Sequence, residues 1–134
     1  MIIPKTGDSI PVLEKLVTTD LIMAYGAATW DWHRMHYDAE FARAQGLPGV
    51  VLDGQALGAL LARALTDGFG PRAFVTKLSF RLRAMVAPGD VLRCEGEIAS
   101  VVSSEDGTVI GFTQRITAGG RIAAEATSEI RLTE

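Results

Sequence analysis

The stretch GQALGALLARALT, residues 54–66, decides the fold, because its leucines recur at the three- and four-residue steps of an α-helix. The leucines are Leu57, Leu60, Leu61 and Leu65, and the small residues between them are Ala56, Gly58, Ala59, Ala62 and Ala64. A helix with so many small side chains is thin on several faces, which lets a sheet approach it closely. The stretch therefore predicts a long buried helix, roughly Gly54 to Thr66, with a sheet wrapped around it.

After residue 74 the hydrophobic period changes to two, which is typical of half-buried strands. The first strand has one face with Thr76, Leu78, Phe80 and Leu82, and the opposite face with Val75, Lys77, Ser79, Arg81 and Arg83. The turns that follow are Pro88-Gly89-Asp90, Glu105-Asp106-Gly107 and Gly119-Gly120. The later strands have inward residues Leu92, Cys94, Gly96 and Ile98, then Ile110, Phe112 and Ile116, then Ile122, Ala124 and Ala126. We predict four long antiparallel strands in a meander.

Two shorter helices precede the long one. Thr18 or Thr19 caps a helix that runs through Trp30, and Asp38 caps a second helix that closes at Gly46. No Ser/Pro linker or repeat divides the chain, so residues 1–134 are predicted to form a single α+β domain.

Composition excludes several classes of function. A net charge of −3 lacks the basic excess of a nucleic-acid-binding protein, and no stretch approaches the about 20 apolar residues that span a bilayer. The single cysteine, Cys94, allows no internal disulfide and no cysteine cluster for zinc, and is interpreted as a small core residue. Residues 1–8 do not resemble a secretion signal, so we expect a cytoplasmic protein.

Residues 31–36, DWHRMH, place a carboxylate and an imidazole five positions apart just after the first helix. Asp31 and His36 could exchange protons with a water molecule, because a carboxylate accepts protons and a histidine titrates near neutrality. Alone, this spacing more often marks a helix cap and a surface side chain than a catalytic pair.

A longer pattern extends from this pair. Asp31 and His36 are followed by Asp38, Ala42-Arg43, Gly46, Pro48-Gly49 and Gly54, and later by Phe80-Arg81 and Pro88-Gly89-Asp90. In this order and spacing the chain resembles the MaoC-like, (R)-specific enoyl-thioester hydratases, which have the hotdog fold. The resemblance covers nearly the whole chain and implies that Asp31 and His36 are catalytic.

The sequence departs from the pattern of that family at three positions. His33 lies where the family usually has Asn, Arg34 where it has Pro, and Asp53 where His precedes the glycine. Losing the proline is expected to loosen the loop that presents His36. A carboxylate at position 53 is expected to raise the pKa of one member of an Asp31/Asp53 pair if the two are close, so Asp53 and His33 are candidates for tuning the site or contacting substrate.

The resemblance implies hydration of trans-2-enoyl-CoA, or dehydration of 3-hydroxyacyl-CoA, in fatty acid metabolism. Asp31 and His36 would hold one water, and the backbone N–H of Gly54 would stabilise charge on the thioester oxygen. Neither a metal nor a redox cofactor is expected. A homodimer or larger homo-oligomer is expected, because a single sheet with one central helix leaves its strand edges uncovered.

Alternatives remain open for function and for several residues. The chain could be a hotdog thioesterase, with Asp53 as its carboxylate, or a non-catalytic subunit that pairs with a nonidentical hotdog partner, as in dehydratases for bulky sterol-derived acyl-CoA. Trp30 and Trp32 could line an acyl tunnel or lie in the core or a dimer contact. Gly54 could simply relieve crowding at a turn. The cations Lys77, Arg81, Arg83 and Arg93 could bind CoA phosphates or be solvated.

Overall fold

The computed structural model describes residues 4–133. Its elements in chain order are β1 (Leu13–Leu16), α1 (Thr19–Thr29), a 3₁₀ turn (Arg34–His36), α2 (Ala39–Ala44), α3 (Gln55–Phe69), β2 (Ala73–Leu82), β3 (Val91–Ser104), β4 (Gly107–Ala118) and β5 (Arg121–Leu132).

The five strands form one antiparallel sheet in the order β1-β3-β4-β5-β2. The predicted four-stranded meander is wrong in one respect: β3, β4 and β5 do follow one another, but β2 pairs with β5 at the far edge. The segment between β2 and β3 leads the chain across the sheet. Strand β1 was not predicted, because four residues offer only two inward positions and show no readable period.

Helix α3 packs on the inner face of the curled sheet and contacts β2, β3, β4 and β5. Leu57, Leu61 and Leu65 are buried there. A Cβ atom placed on Gly58 would lie 2.6 Å from the Phe80 ring, so the small residues of this helix do admit a close sheet. The predicted α+β hotdog architecture is confirmed.

The helix boundaries differ slightly from the predicted ones. Thr18 caps α1 by accepting a hydrogen bond from the Leu21 N–H, and Asp38 caps α2 through the Phe41 N–H, as predicted. Helix α3 continues to Phe69, beyond the predicted Thr66, because the apolar face persists until Gly70, whose positive φ of 80° ends the helix and favours glycine.

Two β-bulges overturn part of the predicted strand faces. A register shift between Val75 and Lys77 turns Val75 toward the core, while the Thr76 hydroxyl bonds to Glu129 on the outside. A second shift in the β4–β5 pair buries Ala123 and leaves Ile122 exposed. A bulge adds one residue to one strand, so each side chain beyond it changes faces.

The single cysteine behaves as a core residue. Cys94 is 2% exposed on β3, and burial raises the pKa of its thiol to about 11. None of the helices within residues 4–133 is long and apolar enough to cross a bilayer.

Candidate active site

A tight reversal at the end of α1 presents Asp31. Trp30 takes a left-handed conformation with φ 58°, and the Asp31 N–H donates to the Gly26 carbonyl at 2.9 Å. A Cβ on Gly26 would lie 3.0 Å from the Asp31 carbonyl oxygen, so this close return of the chain favours glycine. The Asp31 side chain therefore projects from a fixed helix end.

The loop that carries His36 is held by contacts of Arg34. The Arg34 guanidinium pairs with Asp38 at 2.8 Å and lies 4.5 Å from the centre of the Phe41 ring. Asp38 also caps α2 through the Phe41 N–H at 3.0 Å. These contacts of Arg34 tie the loop to α2. They restrain the loop at the position where the family usually has a proline.

The imidazole of His36 faces the Asp31 carboxylate. His36 Nε2 lies 3.7 Å from Asp31 Oδ2, and Nδ1 lies 2.7 Å from the Val51 carbonyl oxygen. A carbonyl only accepts, so Nδ1 carries the proton and Nε2 presents a lone pair. A separation of 3.7 Å is too long for a direct hydrogen bond but lets one oxygen atom contact both groups at about 2.8 Å.

The environment keeps Asp31 ionised. The His33 N–H donates to Asp31 Oδ1 at 3.1 Å, and this bond is the main cause that holds the pKa of Asp31 below its usual range. The proximity of Asp53 thus does not raise the pKa of Asp31, because backbone donation stabilises its charge.

Asp53 and Gly54 form the start of α3. Asp53 Oδ1 accepts a hydrogen bond from the Gln55 N–H at 2.9 Å. The N–H of Gly54, the N-cap residue, has no acceptor within residues 4–133 and lies at the positive end of the helix dipole. The Leu82 side chain lies where a Cβ on Gly54 would project. The glycine therefore leaves an amide free for a ligand and also relieves crowding.

One half-open cavity of about 500 Å³ collects these groups. It is lined by Asp31, His33, Met35, His36, Leu52, Asp53, Gly54, Leu57, Leu82, Arg83, Ala84, Met85 and Val86. All five site residues predicted from the sequence are among them. The cavity joins a polar end with an apolar wall at Leu82 and Met85, which suits a ligand with a polar head and an aliphatic chain.

Of the alternatives predicted for the tryptophans, neither the cavity wall nor the core is what the structure shows, and a dimer contact stays a prediction. Trp30 is 79% exposed and Trp32 43% exposed, and neither lines the cavity. Their rings contact each other edge to face, with centroids 5.5 Å apart. Core packing is therefore wrong for both.

The cations predicted to bind phosphate or be solvated largely pair with acidic neighbours, as Arg83 does with Glu125 at 2.8 Å.

Tyr25 does not line the cavity but lies near its aspartates, and sequence reasoning did not connect it with them. Partial burial, and then the nearby charges of Asp53 and Asp31, raise the pKa of its phenol. From the helical pattern, Tyr25 was interpreted only as one residue of the apolar face of α1. Its polar hydroxyl, on the helix that leads into Asp31, was the available signal.

Comparisons with known proteins show which family model and which relatives the chain matches. Residues 5–120 match the family model described as "MaoC like domain". The chain is 26% identical over 126 residues to the 3-oxo-4,17-pregnadiene-20-carboxyl-CoA hydratase beta subunit of Mycobacterium tuberculosis, covering 93% of this chain and 95% of that protein.

Solved structures share the fold. The ChsH1-ChsH2 complex from Mycobacterium tuberculosis matches with a TM-score of 0.88 at 24% identity, covering 97% of this chain and 99% of the other. The (R)-hydratase from A. caviae involved in PHA biosynthesis matches with a TM-score of 0.86 at 23% identity, covering 96% of each chain.

Proposed function

Because the chain belongs to the MaoC-like domain family, we propose that it is a hydro-lyase that hydrates trans-2-enoyl-CoA to (R)-3-hydroxyacyl-CoA, or catalyses the reverse dehydration. The observation that carries the proposal is the 3.7 Å separation of His36 Nε2 and Asp31 Oδ2 inside a cavity that also contains the free Gly54 N–H.

The reaction needs a base, an acid and a stabiliser of negative charge. Water held between Asp31 and His36 loses a proton to this pair as its oxygen bonds to C3 of the substrate. Negative charge then develops on the thioester oxygen, where the Gly54 N–H donates a hydrogen bond. The proton held by the pair passes to C2, so the elements of water are added and the enzyme is regenerated.

The partners of Asp31 and His36 favour these roles. The pKa of Asp31 is low, so its carboxylate is ionised and accepts a proton from water at neutral pH. The Nδ1–H of His36 is held by Val51, so the lone pair of Nε2 points at the same water. The proposed reaction uses no metal and no redox cofactor.

A spectrophotometric assay tests the proposal. Purified protein mixed with crotonyl-CoA should remove the conjugated enoyl absorbance without releasing free thiol. The product should resist oxidation by an (S)-specific 3-hydroxyacyl-CoA dehydrogenase and NAD⁺. Thiol release would instead support the thioesterase alternative, in which Asp53 directs water to the carbonyl carbon.

A heteromeric assembly is the second candidate. The relative from Mycobacterium tuberculosis is described as a beta subunit, and the cavity here is open beside exposed Leu82 and Met85. We propose that a second hotdog subunit, identical or not, covers this opening and the edge strands. A homodimer in sedimentation and full activity of the isolated chain would favour identical subunits; inactivity on all enoyl-CoA lengths would favour a nonidentical partner.

A further inference from the structure

We propose that Asp31, His36 and Asp53 also form a binding site for a divalent transition-metal cation of the Zn²⁺ type, which competes with the substrate water. One ligand atom from each of these three side chains lies within 4.8 Å of the other two. The three residues come from two separate loops that meet at the start of α3.

Each of the three side chains is oriented by a backbone hydrogen bond that leaves one donor atom free. Asp31 Oδ1 accepts from the His33 N–H at 3.1 Å, and Asp53 Oδ1 accepts from the Gln55 N–H at 2.9 Å. His36 Nδ1 is held by the Val51 carbonyl at 2.7 Å. Such outer contacts hold ligands in place in metal sites, and here they leave one carboxylate oxygen of each aspartate and the Nε2 of His36 for a bound ion.

His36 provides an independent indication of a ligand. The residue is only 6% exposed, yet its Nε2 has no hydrogen-bond partner within residues 4–133 and faces the cavity. None of the fully buried side-chain N or O atoms among the described residues lacks a partner, so this nitrogen is accessible from the cavity and can be reached by a water molecule or a metal ion. A neutral imidazole with its Nδ1–H donated to a carbonyl is the form that binds metal ions.

The charge of the site also favours a cation. Two aspartate side chains and one imidazole face the cavity, and the one Arg or Lys among its lining residues, Arg83, is paired with Glu125 at 2.8 Å. The carboxylates therefore lack a cationic side-chain partner among the lining residues that the structure describes. A divalent ion would offset their charge.

The ligand set and spacing indicate which ion fits. An imidazole nitrogen with two carboxylate oxygens suits Zn²⁺, Co²⁺ or Ni²⁺ better than Mg²⁺, which prefers oxygen ligands alone. Two ligand atoms on a tetrahedral Zn²⁺ lie about 3.4 Å apart. The Asp31–His36 separation of 3.7 Å is close to this value, and rotation of the Asp53 side chain would bring the third ligand in.

Binding of the ion occupies the atoms that hold water in the proposed hydration. Inhibition by the ion rests on the proposed function, whereas binding of the ion does not. Zn²⁺ is therefore expected to inhibit hydration reversibly, with activity restored by EDTA.

Titration calorimetry of the tag-free protein with Zn²⁺ tests binding without any substrate. We expect one ion per chain, with affinity at least 10-fold weaker in D53N and in H36A. The matched control is D67N, since Asp67 lies near the other end of α3 in an exposed pair with Arg63 and should leave Zn²⁺ affinity unchanged. Circular dichroism verifies that each variant is folded, and the visible absorption of Co²⁺ reports its coordination.

Absence of saturable Zn²⁺ binding in the wild type, or equal affinity in wild type and folded D53N, would overturn the proposal. If Zn²⁺ binds as expected but no enoyl-CoA is hydrated, the metal site stands and the proposed function fails. If hydration occurs without Zn²⁺ binding, the reverse holds.

Discussion

The Nδ1 atom of His36 lies 2.7 Å from the carbonyl oxygen of Val51, which fixes the tautomer that points the lone pair of Nε2 toward Asp31. Val51 precedes Asp53 and Gly54 by two and three residues, so the same short segment orients the imidazole and supplies the free amide. The His36 imidazole and the N-terminus of α3 are thereby held in a fixed position relative to each other.

The Asp31→Asn and His36→Ala variants should each lower the rate of crotonyl-CoA hydration by at least about 100-fold, because each removes a proton acceptor for the bound water. The rate is followed by loss of the enoyl absorbance, and D67N serves as the active control. Near-wild-type rates in either folded variant would contradict the assignment of the pair.

Leu82→Trp should shorten the acyl range. Leu82 is half exposed, lines the cavity and lies against Gly54, so a larger side chain would occupy space meant for the aliphatic chain. We expect kcat/KM to fall at least 10-fold more for a long enoyl-CoA than for crotonyl-CoA. The control is V102W, because Val102 is exposed on β3 and does not line the cavity. Equal losses for both substrates would remove Leu82 from the acyl site.

Gly58→Ala should destabilise the fold even though alanine favours a helix by about 1 kcal/mol. The new Cβ would lie 2.6 Å from two ring atoms of Phe80, and overpacking of this kind costs about 1–3 kcal/mol. Gly68→Ala is the comparison, since its Cβ would meet only Pro11, with Cδ at 3.2 Å and Cγ at 3.6 Å. Urea unfolding should rank G58A below G68A, and the opposite ranking would be inconsistent with close packing at Phe80.

Asp90→Ala should destabilise the turn before β3. Asp90 Oδ2 accepts from the Ala87 N–H at 3.0 Å and from Arg121 at 2.7 Å, and loss of bonds to a charged group costs about 1.5–3 kcal/mol. The measured quantity is the free energy of unfolding in urea at pH 7.

The Asp90 contribution should also depend on pH. The Ala87 N–H, together with Arg121, lowers the pKa of Asp90 below its value of about 3.9 in an unfolded chain. Stabilisation is then complete above that unfolded value and is lost as pH falls through the folded pKa. The stability gap between wild type and D90A should narrow in acid, and a gap that widens there would disprove the linkage.

Trp30→Gly should stabilise the protein by up to about 1 kcal/mol, because a left-handed backbone is costly for a residue with a Cβ. Trp30 has φ 58° and is 79% exposed, so little packing is lost. Ala28→Gly, within α1, should have the opposite sign. Thermal unfolding compares the two variants with the wild type. A Tm of W30G below that of the wild type would contradict the prediction, because it would mean that contacts of the Trp30 side chain stabilise the fold.

Much of the fold and of the site could be predicted because it depends on local chemistry. Thr18 and Asp38 were recognisable as N-caps of the first two helices, and the leucine spacing predicted α3. The resemblance to the family singled out Asp31, His36, Asp53 and Gly54 as site residues. In the structure, all four line one cavity.

The remainder depends on long-range pairing. Nothing local to β2 indicates that it will lie beside β5, and a bulge at Thr76 or Ala123 is decided by hydrogen bonding across strands. Tyr25 was missed for a similar reason, since its nearness to Asp31 and Asp53 exists only after the chain folds back.

The cavity draws its polar groups and its apolar wall from different parts of the chain. Asp31, His36 and Gly54 precede or begin α3, whereas Leu82 and Met85 follow it at the end of β2. If the chain is the proposed hydro-lyase, substitutions in the second segment would change which acyl group is accepted and leave Asp31 and His36 untouched. Substrate range and proton transfer could then be altered separately by mutation.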